Sequence, residues 1–98
     1  MAALPPHGVW KLFNPRFRDR QTLGVLIVNF DQSTGTIQYL QSSSELTGVT
    51  RLSPRRFGAK YSVGRSAGEL EGELRDDGVL NLTFLGSVKL RCQARPAH

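Results

Sequence analysis

Apolar residues alternate with polar ones along most of this chain, and glycine, proline, asparagine, aspartate and serine interrupt the alternation about every eight to twelve residues. Successive side chains of a β-strand point to opposite faces, so a period of two predicts strands that are buried on one face. The pattern predicts about eight short strands and no helix. In chain order, the candidate strands are GVWKLFN, LGVLIVNF, TIQYLQ, LTGVTRL, FGAKYSV, ELEGELR, VLNLTFL and VKLRCQA.

The short connections between these segments favour antiparallel pairing of each strand with the next. A meander of this kind has two exposed edges unless the sheet closes on itself. We therefore predict an all-β fold, either a small antiparallel up-and-down barrel or a strongly curled meander sheet of about eight short strands. With 98 residues the chain suffices for one core, so residues 1–98 are predicted to form a single domain, with 1–7 and 95–98 as flexible tails.

Four segments predict local features. LGVLIVNF is apolar on both faces, which predicts the most buried, central strand. SSSE at 42–45 predicts a polar turn, and Gly48 in the strand that follows predicts a β-bulge. DDG at 76–78 is the strongest turn signal, because Asp-Gly suits the positive φ angles of a tight hairpin. The strands on either side of it should pair antiparallel.

The GVW of the first strand, Gly8–Trp10, resembles the Gly-x-Trp element of the calycin barrels, which include the lipocalin and avidin-like families. The likeness covers these three residues and the eight-strand meander pattern. It implies a barrel in which Trp10 closes one end and an arginine near the last strand covers the tryptophan. The candidates for that arginine are Arg91 and Arg95.

The residues that carry most enzyme chemistry are sparse and poorly placed. His7 and His98 lie in the two predicted tails, where nothing holds a general base in position. Cys92 lies on the apolar face of its strand and is interpreted as a core side chain. Zinc needs several cysteine or histidine ligands, which the sequence lacks. We therefore expect no enzymatic activity, no metal and no cofactor.

Three glutamates, Glu69, Glu71 and Glu73, form a row on one face of the sixth candidate strand. A hard cation prefers oxygens that converge from several directions, so the row is interpreted as cross-strand partners of basic residues or as solvated side chains. On the opposite face of the same strand, Gly68 and Gly72 leave gaps between the leucines.

The chain is basic, with thirteen lysines and arginines, eight acidic residues and a net charge of +5. The excess lies in residues 1–65, which hold nine basic and three acidic residues, whereas residues 66–98 hold four and five. An excess of this size favours attraction to a polyanion.

Two segments, PRFRDR and SPRRFGAK, each combine a proline with arginines and a phenylalanine. Arginine binds phosphate through paired charged hydrogen bonds, and an aromatic ring can stack on an unpaired base. In the second segment, Ser53 to Arg56 is predicted to form a turn, and Phe57 to begin a strand with its ring inward. The predicted anion-binding residues are Arg16, Arg18, Arg20, Arg55, Arg56 and Lys60, with Phe17 as a stacking group or a plug over one barrel end.

The leading hypothesis is a non-enzymatic binding module whose basic loops engage an anionic partner, either nucleic acid or an acidic protein surface. A second hypothesis is a small barrel that holds an apolar small molecule. The residues that would line it, or stack on a base, are Trp10, Phe57, Tyr61 and Phe84. A third hypothesis is a protein-interaction or oligomerisation domain, since short β chains often bury an edge strand or an open face against a copy of themselves.

The longest apolar run, LGVLIV, is too short for a membrane-spanning helix. The N-terminal residues MAALPPHGVW lack the basic and apolar regions of a secretory signal. A single cysteine cannot form an internal disulfide. These features predict a cytoplasmic protein that does not associate with a membrane.

Overall fold

The chain forms a closed barrel of eight antiparallel strands, in which each strand pairs with the next and the last pairs with the first. This computed structural model describes residues 3–14, 22–63, 66–86 and 90–97. The strands are β1 (His7–Phe13), β2 (Gly24–Asn29), β3 (Thr34–Tyr39), β4 (Ser42–Ser53), β5 (Arg56–Val63), β6 (Ser66–Leu74), β7 (Leu80–Leu85) and β8 (Leu90–Pro96). The predicted all-β, up-and-down fold is confirmed, and the closed barrel is the form observed. Within the described residues, no helix is long and apolar enough to cross a membrane.

Closure joins β1 to β8 through a short antiparallel ladder. Leu12 stands opposite Ala94 and Lys11 stands opposite Arg95. Leu12 and Ala94 point inward and are fully buried. An open sheet would expose both of them, so burial of the core favours the closed form.

The barrel also holds residues that the sequence assigned to the tails 1–7 and 95–98. Leu4 is buried, and its N–H donates to the carbonyl of Pro54 at 2.8 Å. Strand β8 extends to Pro96, because the ladder that closes the barrel continues to that residue.

Apolar side chains from all eight strands fill the interior. In the described part of the chain, the largest of those that are less than 2% exposed are Phe57, Leu12, Leu26, Leu46, Leu70, Leu80, Leu82, Val28 and Val49. A side chain that bordered an open cavity would retain accessible surface. The interior around these side chains is therefore packed.

Successive connections lie at alternate ends of an up-and-down barrel. One end, which we call the terminal end, carries the start of β1, the end of β8 and the turns β2–β3, β4–β5 and β6–β7. The other end, which we call the far end, carries the remaining connections. Phe30 and Phe57 meet edge to face near the terminal end, with ring centres 5.6 Å apart. Tyr61 and Phe84 meet in the same way near the far end, also at 5.6 Å.

The predicted burial of both faces of LGVLIVNF is wrong. In β2, Leu26 and Val28 point into the core, but Val25 and Ile27 point outward, and Ile27 is 44% exposed. A closed barrel has one interior, so a strand buries one face only, unless another element covers its outer side. The outward residues of β2 therefore leave apolar surface open to solvent.

The predicted turn at 42–45 is also wrong, because these residues begin β4. The chain turns earlier, at Leu40 and Gln41. Ser44 points inward, and its hydroxyl accepts the N–H of Ser62 at 2.9 Å. A serine that resembles a turn residue in the sequence thus serves as a hydrogen-bond acceptor between β4 and β5.

Two glycines adopt positive φ angles where the sequence predicted a turn and a bulge. Gly78 has φ 84° in the β6–β7 turn, and its N–H donates to the carbonyl of Arg75 at 3.1 Å. Gly48 has φ 58° where β4 carries one residue more than β5 between paired positions. The turn at 76–78 and the bulge at Gly48 are therefore confirmed, as is the antiparallel pairing of β6 with β7.

Leu40 adopts the left-handed conformation at φ 56°, and its side chain is exposed. A branched side chain is strained there, whereas asparagine tolerates this conformation. We expect Leu40→Asn to raise the free energy of unfolding by about 1 kcal/mol, measured by urea denaturation. Gln41→Asn, at the other position of the same turn, is the control and should change it by less than about 0.5 kcal/mol. A Leu40→Asn protein no more stable than the wild type would contradict the expectation.

Candidate anion-binding surface

The SPRR segment forms the predicted turn. Ser53 pairs with Arg56, so Pro54 and Arg55 are the central residues of a hairpin turn at the terminal end. The Ser53 hydroxyl accepts the N–H of Arg55 at 3.3 Å. Phe57 follows with its ring in the core, as predicted.

Arg55 is held by the neighbouring β6–β7 turn. Its Nη2 lies 2.7 Å from Oδ1 of Asp76, and its Nε donates to the carbonyl of Leu74 at 3.0 Å. The N–H of Leu74 in turn donates to the carbonyl of Arg55 at 2.8 Å. These bonds engage the guanidinium and tie the two turns together, so Arg55 mainly stabilises the terminal end.

Arg56 and Lys60 face the acidic strand β6. Nε of Arg56 lies 4.0 Å from Oε2 of Glu73, and Lys60 stands opposite Glu69 in the ladder. The predicted cross-strand pairing of the glutamate row is therefore confirmed for Glu73. Lys60 lies four residues along β5 from Arg56, a distance of about 13 Å.

A surface depression of about 620 Å³ adjoins the β4–β5 turn. Its charged lining consists of three arginines and three carboxylates, namely Arg55, Arg56, Arg75, Glu73, Asp76 and Asp77. The net charge of this lining is therefore zero. Arg55, Arg56 and Lys60 do not converge into one cationic site.

Part of the predicted site lies outside the described residues. The predicted binding residues that lie outside the described residues are Arg16, Phe17, Arg18 and Arg20. The described residues that flank them, Asn14 and Thr22, are at the far end of the barrel, whereas the β4–β5 turn is at the terminal end.

The aromatic residues predicted to line a ligand site belong to the packed interior. Phe57 is fully buried, Trp10 and Phe84 are almost so, and Tyr61 is half-buried. Phe57 packs near the terminal end, whereas Tyr61 and Phe84 pack on each other near the far end. Nε1 of Trp10 is buried without a hydrogen-bond partner among the described residues.

A cationic surface that the sequence did not predict lies where β8 closes onto β1. We call it the basic face; it is formed by Lys11, Arg91 and Arg95, whose side chains are exposed. Within the described chain, none of the three has a carboxylate partner. Lys11 and Arg95 stand directly opposite each other in the ladder. Like charges in that position repel, so this pair does not stabilise the sheet.

The ring of Phe13 packs against Arg95 of the basic face. The guanidinium carbon of Arg95 lies 4.5 Å from the centre of the Phe13 ring. Phe13 is buried although it points outward from β1. A cation over an aromatic ring is attracted by roughly 0.5–1 kcal/mol at an exposed site. The guanidinium stacked in this way keeps its N–H groups for a further partner.

Charge is divided unevenly around the barrel. In their described parts, β7, β8, β1, β2 and β3 carry the three cations of the basic face and no carboxylate. The other three strands, β4 to β6, carry three basic and four acidic residues, namely Arg51, Arg56, Lys60, Glu45, Glu69, Glu71 and Glu73. An anion is therefore attracted to one side of the barrel.

The described thiol lies in the core, and the described imidazole lies at the surface. Burial raises the pKa of the Cys92 thiol to about 12, so the thiol stays protonated at neutral pH. His7 lies 3.3 Å from Asp31 at the terminal end, and both side chains are mostly exposed. Across the described ranges, no group of three or more His, Cys, Asp or Glu side chains could hold a metal ion.

Sequence reasoning missed the basic face because its members come from the two ends of the chain. A signal was present, since Arg91 and Arg95 share the outward face of the last strand and Lys11 lies on the outward face of the first. Closure brings those two faces side by side.

Comparison of the chain with protein-family models, with curated proteins and with solved structures found no match. The resemblance of Gly8–Trp10 to the first strand of the calycin barrels stays a prediction. What the surface can bind is inferred from its own geometry and charge.

Proposed function

We propose that this protein is a non-enzymatic binding module that engages an anionic partner through the basic face. The observation that carries the proposal is the uneven charge, since five adjacent strands present Lys11, Arg91 and Arg95 and no carboxylate in their described parts. By contrast, Arg55 and Arg56 face carboxylates of their own. An anionic partner is attracted to the junction of β8 and β1.

The absence of internal partners also lowers the cost of binding. A cation that is paired within the protein must give up its carboxylate before it can bind an external anion. Within the described residues, the basic face has no such pair to break. The stacked guanidinium of Arg95 is in addition already ordered, which reduces the entropy lost on binding.

The proposal is tested by binding of a labelled oligothymidylate of about 20 nucleotides and of polyglutamate, followed by fluorescence anisotropy at several salt concentrations. In the test variant, Lys11, Arg91 and Arg95 are all replaced by glutamine. We expect the affinity for both probes to fall by about 10-fold to 100-fold at low salt. For the oligothymidylate, the slope of log affinity against log salt should become shallower by about 2, since three phosphate contacts are lost.

Two comparison variants remove the same number of charges elsewhere. One replaces Arg51, Arg56 and Lys60 by glutamine, and the other replaces Arg16, Arg18 and Arg20. The first should change the affinity by less than about threefold, because those cations lie on the three strands that carry the glutamates. If binding is lost in either comparison variant and kept in the basic-face variant, the proposal is wrong.

A further inference from the structure

We infer that the partner of the basic face is an extended acidic protein segment that carries an apolar side chain. This inference rests on the proposed function and names the chemistry of the partner. It is carried by an exposed apolar surface directly beside the cations, by the spacing between the two, and by the lack of an exposed aromatic ring in the described part of the chain.

The apolar surface lies on the outer side of β1 and β2. Val9 and Ile27 stand directly opposite each other and are 47% and 44% exposed. Val25 is half-buried and stands opposite Lys11 of the basic face. We call Val9, Val25 and Ile27 the apolar strip. These side chains face away from the core, so covering them would remove apolar surface from water that folding leaves exposed.

The apolar strip also borders a recess. Val25 and Ile27 form one wall of a surface groove of about 760 Å³ that reaches across β3 and β4 to β5. The rest of its lining is mostly hydroxyl and amide side chains, with one carboxylate, Glu45, and one cation, Lys60. A partner side chain placed over the apolar strip therefore has a concave surface to enter.

The cations and the apolar strip are spaced like the side chains of an extended chain. Val9 with Ile27 forms one cross-strand row, and Lys11 with Arg95 forms the next, two residues along β1 and about 7 Å away. Arg91 lies four residues from Arg95 along β8, roughly 14 Å further. An extended partner places same-face side chains about 7 Å apart. A partner that matches this surface carries an apolar residue at position i, over Val9 and Ile27. It carries carboxylates at i+2, beside Lys11 and Arg95, and at i+6, beside Arg91.

A nucleic acid fits this surface less well. Proteins that bind single strands stack the bases on exposed aromatic rings. In the described part of the chain, every aromatic side chain is buried or half-buried. Phe13, which lies beside the basic face, is already covered by Arg95. A phosphate backbone would satisfy the cations, but only a protein segment also supplies an aliphatic side chain for Val9 and Ile27.

Two other modes of docking are disfavoured. Strands β8, β1 and β2 are each paired on both sides along the ladder that holds Lys11 and Arg95, so a partner that covers this ladder and the apolar strip must bind through side chains. A second copy that docked through the same surface would place one basic face against another, and the cations would repel. An acidic segment avoids both difficulties.

The test compares two short peptides of identical composition by fluorescence anisotropy. The patterned peptide carries leucine at i and glutamate at i+2 and i+6, with serine and threonine elsewhere; the permuted peptide carries the same three residues in succession. We expect the wild type to bind the patterned peptide about fivefold more tightly. Val9→Thr combined with Ile27→Thr should remove this preference, and threonine keeps the β-propensity of both positions. Leu52→Thr, at another exposed aliphatic position on β4, is the control and should keep it.

The outcomes separate the inference from the function on which it rests. Equal affinity for the two peptides, or a preference that survives in the Val9 and Ile27 double variant, overturns the inference. Tighter binding of oligothymidylate than of the patterned peptide at the same salt concentration overturns it in favour of nucleic acid and leaves the proposed function standing. If the variant that lacks Lys11, Arg91 and Arg95 binds every probe as the wild type does, the proposed function itself fails.

Discussion

Gly72→Ala is expected to lower the free energy of unfolding by about 3 kcal/mol. Gly72 stands opposite Phe57 in the β5–β6 ladder, and a β-carbon added there would lie 2.7 Å from Cζ of the Phe57 ring. The ring cannot move aside, because Phe57 is fully buried and packs edge to face on Phe30. In a domain of 98 residues, such a loss lowers the melting temperature by about 15 °C.

The control for Gly72→Ala is Gly58→Ala on the outer side of β5. A β-carbon at Gly58 would meet Cδ1 of Leu52 at 3.6 Å, which is an ordinary contact, so the free energy of unfolding should change by less than about 0.5 kcal/mol. A double-mutant cycle with Phe57→Leu tests the cause. The smaller side chain should reduce the cost of Gly72→Ala by about 1 kcal/mol or more. If the cost is the same in both backgrounds, the ring is not the obstacle.

The strands and turns were predictable from the sequence because they depend on neighbours along the chain. The inward positions of Phe57 and Ala59 follow from alternation alone, and Gly78 follows from local turn chemistry. The gap at Gly72 was visible in the sequence as well. The side chain that fills the gap was not predictable, because the register between β5 and β6 places Phe57 opposite Gly72.

The outer surface was less predictable, because the sequence does not show what covers an outward face. Val25 and Ile27 have the composition of a strand buried on both sides, yet a closed barrel has no second layer to cover them. The local pattern is the same for a buried face and for an exposed one that binds a partner. Closure of the barrel decides between these alternatives, and it depends on the pairing of β1 with β8.

Charge was the least predictable property, since pairing of charges depends on long-range register. Arg55 and Arg56 are adjacent in the sequence and resemble a cationic loop tip, but Asp76 and Glu73 reach them from another hairpin. The C-terminal part of the chain is slightly acidic overall, and yet it supplies two of the three cations of the basic face. Net charge along a segment therefore predicts attraction to anions better than it predicts the place where they bind.

Raising the pH from 9.0 towards 12 is expected to lower the free energy of unfolding through Cys92. The thiol is buried on the inner side of β8, and burial raises its pKa from 9.0 to about 12. Below pH 9.0 the thiol is protonated in the folded and the unfolded chain, so pH has no effect through this group. Between these two values the unfolded chain loses the proton and the folded chain keeps it. The free energy of unfolding should then fall by about 1.4 kcal/mol per pH unit.

Urea unfolding from about pH 8 to about pH 11 measures the effect in the wild type and in Cys92→Ala. The variant should be less stable by about 1–2 kcal/mol at the lower pH, because a small cavity replaces the thiol, but its stability should fall less steeply above pH 9.0. Burial and, secondarily, the charge of Cys92 also raise the pKa of Tyr39, which adds a loss of the same sign above pH 10.0. Tyr39→Phe separates that contribution from the thiol. Parallel curves for the wild type and Cys92→Ala would mean that the folded chain ionises the thiol as easily as the unfolded chain does, which is incompatible with its place in the packed interior.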